Sequence, residues 1–385
     1  MSRHRLAPES LAEDVVAVAE SLVGIHSSDP VSVFLGALAR LRSPRIGDVE
    51  AALYEHRRLV RVLGMRRTMF VVPTELAPIL HHACALALAS QERRRVVRLV
   101  EDAGLVPRGE GAAWVREVET KTLECLARRG EAVAGELSRE VPELRAQIPF
   151  GEGKKWAGKQ GVSTRVLFLL AAEGRAVRGR PRGSWISSQY RWATTANWLG
   201  SDIAALPVGE ARHELLRRYL LGYGPVTAAD IRWWTGWTAA EARRVIETLD
   251  PAPVAVELDG GSTGYVAGDD VDPVPPPSPS AALLPALDSS VMGWAERDWF
   301  LGPHRQALFD RSGNAGPTVW WDGRVVGGWA QRPDGEVGVR LLEKVGPTAE
   351  RAIADQPKRL RTLIGDVRFT PRFRTPLERE LSERG

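Results

Sequence analysis

The stretch Gly224–Val266, GPVTAADIRWWTGWTAAEARRVIETLDPAPVAVELDGGSTGYV, decides the fold class of this chain. Thr227 and Thr238 are good helix N-caps, and each has an acidic residue three positions later in the first turn. A glycine separates the two helices. Strands over 254–258 and 264–266 follow as a hairpin. Helix, turn, helix and hairpin in this order predict a winged helix.

The same order of elements occurs upstream. Residues 132–137 are predicted to form a short helix, and residues 162–173 a second helix with apolar residues at helical spacing. Strands over 176–178 and 189–192 then form a wing around residues 179–187. This segment is predicted to be another winged-helix unit.

A less clear copy starts the chain. Asp48 is predicted to cap a helix over 49–56, and residues 59–72 are typical of a hairpin that ends at Pro73. Three helix-and-hairpin units in one chain constitute an internal repeat.

The C-terminal part differs in kind, because its pattern alternates and is rich in tryptophan. It predicts strands over 320–321, 325–329 and 336–339, a helix over 345–363 and a last strand over 367–369. A Pro-rich linker, residues 272–283, precedes this part of the chain.

Composition limits the class of protein. The chain has 385 residues, a formal net charge of +4 and no apolar run long enough for a transmembrane helix. Its N-terminus runs straight into an amphipathic helix rather than an apolar signal core. Cys84 and Cys125 are too few for a disulfide framework and are not spaced as a metal site. A cytoplasmic, nucleoid-associated location is therefore expected.

Positive charge is concentrated in one segment, residues 154–192. It contains nine basic residues and a single acidic residue, Glu173, together with Trp156, Trp185, Tyr190 and Trp192. A solvated basic face is the simpler interpretation of such a charge run. Because the segment coincides with the second helix and the wing of a winged helix, contact with DNA phosphates is favoured.

The turn Gly24-Ile25-His26-Ser27-Ser28-Asp29-Pro30 lies between two predicted helices. Gly24 is a suitable helix end, and Ser28 or Asp29 before Pro30 is a standard helix start. On this interpretation the turn only ends one helix and starts the next, and His26 is half-buried. A His and a Ser two residues apart are also compatible with a catalytic pair.

Taken together, these motifs resemble the winged-helix DNA glycosylases of the AlkZ/YcaQ type over nearly the whole chain. The resemblance rests on residues 24–30, Met65-Arg66-Arg67-Thr68, the winged-helix units, Leu284-Pro285-Ala286-Leu287-Asp288 and Gly327-Gly328-Trp329. It implies tandem winged helices followed by a β-barrel-like domain. It implies excision of N7- or N3-alkylated purines and unhooking of interstrand crosslinks, in some members as resistance to genotoxins. It implies no metal or cofactor.

The sequence departs from this family at its catalytic motif. His26 and Ser28 occupy the positions of the family's Gln-x-Gln or Gln-x-Asp pair. Members often carry Met-Arg-Gly-Thr-Leu-His, of which this chain keeps Met65, Arg66 and Thr68 but not the Gly or the His.

A His-x-Ser pair still suits this chemistry. An N7-alkylated guanine is cationic and leaves readily, so the enzyme needs chiefly to position a water near C1′. A neutral imidazole accepts that water's proton near pH 7, and a Ser hydroxyl holds the water. We therefore expect His26 to act as general base and Ser28 as its positioning partner.

The predicted fold class is α+β, with tandem winged-helix units and a C-terminal β-rich, barrel-like domain. The predicted divisions are residues 1–110 (unit 1, with the catalytic turn), 111–200 (unit 2, with the basic wing), 201–271 (unit 3), 272–283 (linker) and 284–385 (β-rich domain).

The predicted partner is duplex DNA carrying an alkylated purine, bound by a monomer without a membrane. The expected DNA contacts are Arg66, Arg67, Thr68, Lys154, Lys155, Lys159, Arg165, Arg178, Arg180, Arg182, Gln189 and Arg191.

Other polar and aromatic clusters favour structural roles. His81 and His82 are adjacent on a helix and point in different directions, which argues against a metal site. Arg93-Arg94-Arg95 favours an exposed helix face, and Trp233-Trp234 favours packing. The alternative function is a non-catalytic DNA-binding protein on the same scaffold, which recognises a lesion or regulates transcription, and the loss of both family glutamines favours this alternative.

Overall fold

The structure is a computed structural model that describes residues 1–151, 153 and 157–383. The chain divides into two compact units. Unit A comprises Met1–Leu59, Thr68–Pro73 and His213–Gly385, and unit B comprises Val60–Arg67 and Thr74–Arg212. Every helix in the described ranges is too short or too polar to cross a bilayer.

Helices and strands are both numerous. The helices are α1 (Val15–Ser21), α2 (Pro30–Leu38), α3 (Ile46–Glu50), α4 (Ala77–Leu80), α5 (Leu86–Asp102), α6 (Gly111–Arg129), α7 (Ala134–Glu140), α8 (Val162–Ala172), α9 (Thr195–Leu199), α10 (Val208–Tyr223), α11 (Ala228–Thr235), α12 (Ala239–Thr248), α13 (Asp298–Leu301), α14 (Arg305–Leu308), α15 (Pro347–Ile364) and α16 (Pro376–Glu383). The strands are β1 (Ile25–His26), β2 (Leu59–Leu63), β3 (Met69–Pro73), β4 (Ala132–Val133), β5 (Gln147–Phe150), β6 (Gly158–Gly161), β7 (Ala176–Pro181), β8 (Tyr190–Thr194), β9 (Val254–Glu257), β10 (Thr263–Val266), β11 (Ala281–Leu284), β12 (Thr318–Trp321), β13 (Arg324–Gln331) and β14 (Val337–Leu341).

In unit A, the elements predicted from Gly224–Val266 are all present. Thr227 caps α11 and Thr238 caps α12, and each forms a complete capping box with the acidic residue three positions on. β9 and β10 pair antiparallel as the predicted hairpin. The local signals were sufficient here because each cap and each turn is satisfied by residues within the same segment.

The C-terminal region of unit A is built on an antiparallel sheet in the order β11-β12-β13-β14. Helices α15 and α16 pack on this sheet, and α15 corresponds to the helix predicted over 345–363. Trp329 on β13 is fully buried, and its indole N–H donates to the Leu284 carbonyl oxygen over 2.8 Å. Gly327 lies so close to the main chain of Arg340 that a Cβ atom would collide with it.

Two predictions for this region are wrong. In the described residues the four strands form an open sheet rather than a closed barrel. Residues 367–369 are not a strand. They are held instead by the Gln331 side chain, which donates to the Val367 carbonyl and accepts from the Phe369 N–H, each over 3.0 Å. Hydrogen bonds to one side chain thus take the place of the strand-to-strand backbone hydrogen bonds that the β-like composition predicted.

In unit B, α6, α7 and α8 pack around one apolar core next to the sheet β4-β8-β7. The helix predicted over 132–137 begins two residues later, because Ala132 and Val133 pair with β8. The hairpin β5-β6 was not predicted, since its sequence lacks a regular alternation of apolar residues.

The first predicted copy differs in its helix. α3 begins at Ile46 after Arg45, so Asp48 lies in the first turn and is not the cap. A carboxylate in the first turn favours a helix through its dipole, which explains why the sequence pattern resembles a cap. The two strands predicted within 59–72 are present as β2 and β3.

Candidate catalytic turn and nucleic-acid interface

The turn Gly24–Pro30 lies between α1 and α2 and is fixed at both ends. Gly24 has a φ of +112°, and a Cβ atom there would lie 2.8 Å from the Val72 side chain, so only glycine fits without strain. Asp29 is the N-cap of α2, and its carboxylate accepts a 3.1 Å hydrogen bond from the Val31 N–H. The predicted helix-start chemistry is therefore confirmed at Asp29.

The middle of the turn is a strand. β1 pairs antiparallel with β3, which places His26 directly opposite Phe70, and the Ser27 N–H donates to the Met69 carbonyl over 2.8 Å. Because β3 begins just after Thr68, the sheet joins the turn to the segment that continues the Met-Arg-Arg-Thr motif.

His26 is held in a buried position. Only 4% of the surface of this residue is exposed to solvent. Its N–H donates to Ser289 Oγ over 3.1 Å, and that hydroxyl donates in turn to the Gly24 carbonyl over 3.1 Å. The imidazole meets the Phe70 ring edge-on, with 5.2 Å between centroids. Ser289 therefore fixes the backbone on both sides of Ile25, immediately before the histidine.

Ser28 contacts one of the two ring nitrogens of His26 by a hydrogen bond. The Ser28 N–H donates to His26 Nδ1 over 3.5 Å, which is long for a hydrogen bond. A neutral ring with Nδ1 as acceptor carries its proton on Nε2. The geometry therefore couples the tautomer of His26 to the backbone of Ser28.

Asp29 and Arg372 clamp the end of the turn. The Arg372 N–H donates to Asp29 Oδ2 over 2.8 Å, and the Arg372 guanidinium donates to the Ser28 carbonyl over 3.3 Å. Burial raises the pKa of Asp29, and the N–H groups of Arg372 and Val31 oppose that rise. Ser28 itself is half-buried.

A buried ionic network supports the turn from behind α2. Arg40 is fully buried and forms two hydrogen bonds to the Asp288 carboxylate, of 2.9 and 2.7 Å. Arg40 also donates to Ser290 Oγ over 2.8 Å, and His4 Nδ1 lies 2.7 Å from the same oxygen. Burial and the charge of Arg40 hold the pKa of His4 well below its usual value. Asp288 thus has a structural role as the buried partner of Arg40.

The predicted DNA contacts in unit B lie mainly on its wing sheet. Arg178 and Arg180 are half-buried and alternate with buried neighbours along β7, whose pairing with β8 shifts register between Arg178 and Pro181. Exposed Arg182 continues this alternation beyond β7, and its N–H donates to the carbonyl of exposed Gln189 over 2.8 Å. Arg191 is half-buried on β8.

The remaining predicted contacts are more scattered. Lys159 is exposed on β6, and Arg165 is half-buried on α8. Lys154 and Lys155 lie outside the described residues, as does Trp156.

Three predicted arginines meet at one cavity of unit B, here called the wing cavity. Arg67, Arg165 and Arg178 line this space of about 390 Å³ together with Phe168 and Trp192. The Arg178 guanidinium carbon lies 5.1 Å from the centre of the Trp192 ring. Burial, followed by the neighbouring charges of two other arginines, lowers the pKa of Arg165. Positive charge is therefore crowded at this place.

The Met-Arg-Arg-Thr motif contains an unusual backbone. Arg66 and Arg67 both have positive φ angles, +51° and +61°. Such angles suit glycine, the residue that the family resemblance has at position 67. Arg67 pairs with Glu92, which is 3% exposed at its side chain. Arg67 therefore combines a backbone conformation that favours glycine with an ion pair to a buried carboxylate.

Three aromatic residues of the basic segment are buried. Trp185, Tyr190 and Trp192 are 5%, 7% and 8% exposed, so they support the wing rather than offering stacking surfaces. Trp234 is likewise buried in unit A, where it stacks on Tyr219 with 4.2 Å between ring centres.

In unit B, His81 is buried and Arg93 forms ion pairs, so both residues have structural roles. Burial, and to a lesser extent His82, lowers the pKa of His81 to about 4. Arg93 bridges Glu119 and Glu173 rather than extending into solvent. The described ranges contain no cluster of side chains that could hold a metal ion.

Sequence reasoning missed Ser289 and Arg372. Each contacts the turn from more than 250 positions away. Their local sequence carries no signal for these contacts, because a hydrogen bond to a distant backbone group leaves no periodicity in the chain.

Comparisons with known proteins agree with the fold and the motifs. A family model described as "DNA glycosylase AlkZ-like" matches residues 19–383. The solved structure of Streptomyces sahachiroi DNA glycosylase AlkZ is similar with a TM-score of 0.71, at 20% sequence identity over 94% of each chain. At this identity the likeness concerns the fold. No curated protein matches the chain.

Proposed function

The chain belongs to the AlkZ-like DNA glycosylase family, and from this premise we propose that it is a monofunctional DNA repair glycosylase that excises N7- or N3-alkylated purines from duplex DNA. Bulky and crosslinked adducts, including those of genotoxins, belong to the same substrate class. The observation that carries the proposal is the turn Gly24–Pro30, where His26 and Ser28 are placed by bonds to Ser289 and Arg372.

The proposed reaction is hydrolysis of the N-glycosidic bond. In an N7-alkylated guanine the C1′–N9 bond breaks and its electron pair neutralises the cationic purine. Water adds to the resulting oxocarbenium carbon, and the water's proton passes to His26. The products are a free purine and an abasic site.

Proton acceptance by His26 at Nε2 requires a change of tautomer. The proton must then reside on Nδ1, and the bond from the Ser28 N–H is given up. At 3.5 Å this bond is at the limit of hydrogen-bond length, so its loss costs little.

Ser28 is proposed to hold the water. Its carbonyl oxygen is occupied by Arg372, whereas its hydroxyl forms no hydrogen bond to any described residue. A half-buried hydroxyl with spare donor and acceptor capacity suits a water ligand.

The departures from the family pattern lie opposite each other. The chain has His26 where the resemblance has Gln, and Phe70 where it has His, and these two positions are cross-strand partners. This chain therefore carries its histidine on the strand next to the one where the resemblance has a histidine. The pairing of these two positions supports a role for an imidazole at this site.

DNA binding is proposed for the twelve predicted contact residues, of which Arg67, Arg165 and Arg178 share the wing cavity. Three winged-helix units, a linker and a β-rich C-terminal domain, with the boundaries given above, remain our proposed organisation of a monomer.

The second candidate function is non-catalytic recognition of damaged DNA. The 4% exposure of His26 is the specific observation in its favour, because a general base must reach its water.

A substrate panel separates the two functions. The protein is incubated with duplex DNA containing N7-methylguanine, N3-methyladenine or a crosslinked adduct, and abasic sites are counted. We expect release from at least one lesion. Release should disappear in His26→Ala and persist in His56→Ala, which removes an exposed histidine of the same unit. Salt-dependent binding without release from any lesion would support the second candidate.

A further inference from the structure

A large cationic cavity lies in the C-terminal region of unit A, outside the predicted DNA contacts. Its volume is about 1270 Å³, and we call it the arginine cavity. Arg305, Arg311, Arg372, Arg374 and Arg379 line it, with Asp310 as the one acidic lining residue. The volume exceeds the roughly 300–1,000 Å³ of a typical small-ligand pocket.

The acidic groups near this cavity are already engaged. Asp310 accepts hydrogen bonds from the main chains of Ser312 and Asn314 and from the Asn314 side chain, over 2.8 to 2.9 Å. Glu378 binds Arg374 through two bonds of 2.7 and 3.1 Å. The carboxylates therefore organise their own loop and helix, and one of the five arginines is neutralised.

The other arginines present their charge to solvent. Arg311 and Arg379 are exposed and form no ion pair with any described residue. Arg305 and Arg372 stack over the rings of Phe309 and Phe373, at 5.2 and 5.7 Å from the ring centres. Stacking occupies the face of a guanidinium and leaves its N–H edges for an anion. Several like charges around one open space favour an anionic occupant.

The cavity is joined to the candidate catalytic turn through Arg372. The same residue lines the cavity, donates its N–H to Asp29 and donates its guanidinium to the Ser28 carbonyl. A nucleotide held at Ser28 would thus have its neighbouring phosphates close to this wall.

We propose that the arginine cavity binds consecutive phosphodiesters of the DNA strand whose damaged nucleotide reaches His26 and Ser28. Guanidinium forks match phosphate oxygens, and four exposed arginines spread around a wide space suit a polymer rather than a single small anion. This assignment rests on the proposed function for the identity of the strand.

The test is the salt dependence of DNA binding by the full chain. Arg311→Ala/Arg379→Ala removes two cavity charges, and Arg351→Ala/Lys358→Ala removes two exposed charges from α15 as the matched control. Dissociation constants are measured for an undamaged duplex across a series of KCl concentrations. Because each phosphate contact contributes about 0.9 to the slope of log K against log [salt], the cavity variant should lose about 1.8. The control should keep the slope of the parent.

Three results would overturn the assignment. The first is an unchanged slope in the cavity variant, and the second is an equal loss in the control. The third is thermal stabilisation by inorganic phosphate alone that disappears in the cavity variant while the slope stays, because the occupant is then a free anion.

Base release is measured separately on the lesion duplex, so the two proposals fail independently. A reduced slope without release from any lesion supports the cavity and contradicts the glycosylase. Release with an unchanged slope contradicts the cavity alone.

Discussion

The candidate catalytic turn and the basic wing are stabilised in opposite ways. The turn Gly24–Pro30 is mostly buried and is held by Ser289 and Arg372, which are distant in the sequence. The wing strands β7 and β8 are held by each other and by the adjacent helices, and their arginines Arg178, Arg180 and Arg191 are half-buried. The proposed catalytic residues are therefore positioned by long-range contacts, whereas the proposed DNA contacts of the wing lie on a locally formed element.

This difference separates the consequences of substitution. A change in the contacts behind the turn should reduce stability and activity together. A change of a wing arginine should reduce affinity and leave both stability and the chemical step intact.

The largest expected effect is at the buried pair behind the turn. Asp288→Ala leaves the fully buried Arg40 guanidinium without its carboxylate, which should lower the free energy of unfolding by about 3–5 kcal/mol. Denaturant unfolding measures this loss. Arg180→Ala on the wing is the control and should change stability by less than about 0.5 kcal/mol. Equal, small effects of the two variants would contradict the contrast between the regions.

The next largest effect is on stability at acidic pH, through a histidine that packs next to the wing. His81 packs against Gly174, which connects α8 to β7, and its pKa is lowered to about 4. Because the unfolded histidine titrates near 6.5, unfolding takes up a proton between pH 6.5 and 4. Stability is therefore lost as pH falls through this window, by up to about 3 kcal/mol.

His81→Gln should remove this part of the pH dependence. Unfolding of both proteins is followed in denaturant at pH 7 and near pH 4.5. The variant should lose less stability than the parent between the two conditions. An identical loss in both proteins would show that another group, such as buried His4, dominates the acid response.

The smallest effect is on DNA affinity. Arg180→Ala/Arg182→Ala should flatten the salt dependence of duplex binding by roughly one to two units of slope, with the single-turnover release rate at saturating protein unchanged. A normal slope would place the DNA surface elsewhere. A reduced release rate at saturation would mean that the wing also positions the lesion.

Local signals predicted much of the fold. The capping boxes at Thr227 and Thr238, helix α8 and the hairpin strands β7 and β8 follow from residues close together in the chain. The errors arose where a distant partner or an ambiguous residue decides the structure. Residues 367–369 are held by the Gln331 side chain rather than by a strand, and Asp48 lies inside its helix instead of capping it.

The candidate site was predictable in part. His26 and Ser28 were proposed from their place before Asp29-Pro30, and the structure confirms that Asp29 caps α2. Ser289 and Arg372 were not predictable, because hydrogen bonds to backbone groups leave no constraint on the local pattern. The arginine cavity was also missed, since its residues come from two stretches far apart in the chain, residues 303–312 and 372–379.

Catalysis by His26 is measured by single-turnover release of N7-methylguanine from a duplex at saturating protein. We expect the rate to fall roughly 10²- to 10⁴-fold in His26→Ala, the usual contribution of a general base, with unchanged binding of undamaged DNA. The same rate in His26→Ala as in the parent, or release that survives His26→Ala/Ser28→Ala, would contradict catalysis by His26 and place the catalytic groups elsewhere.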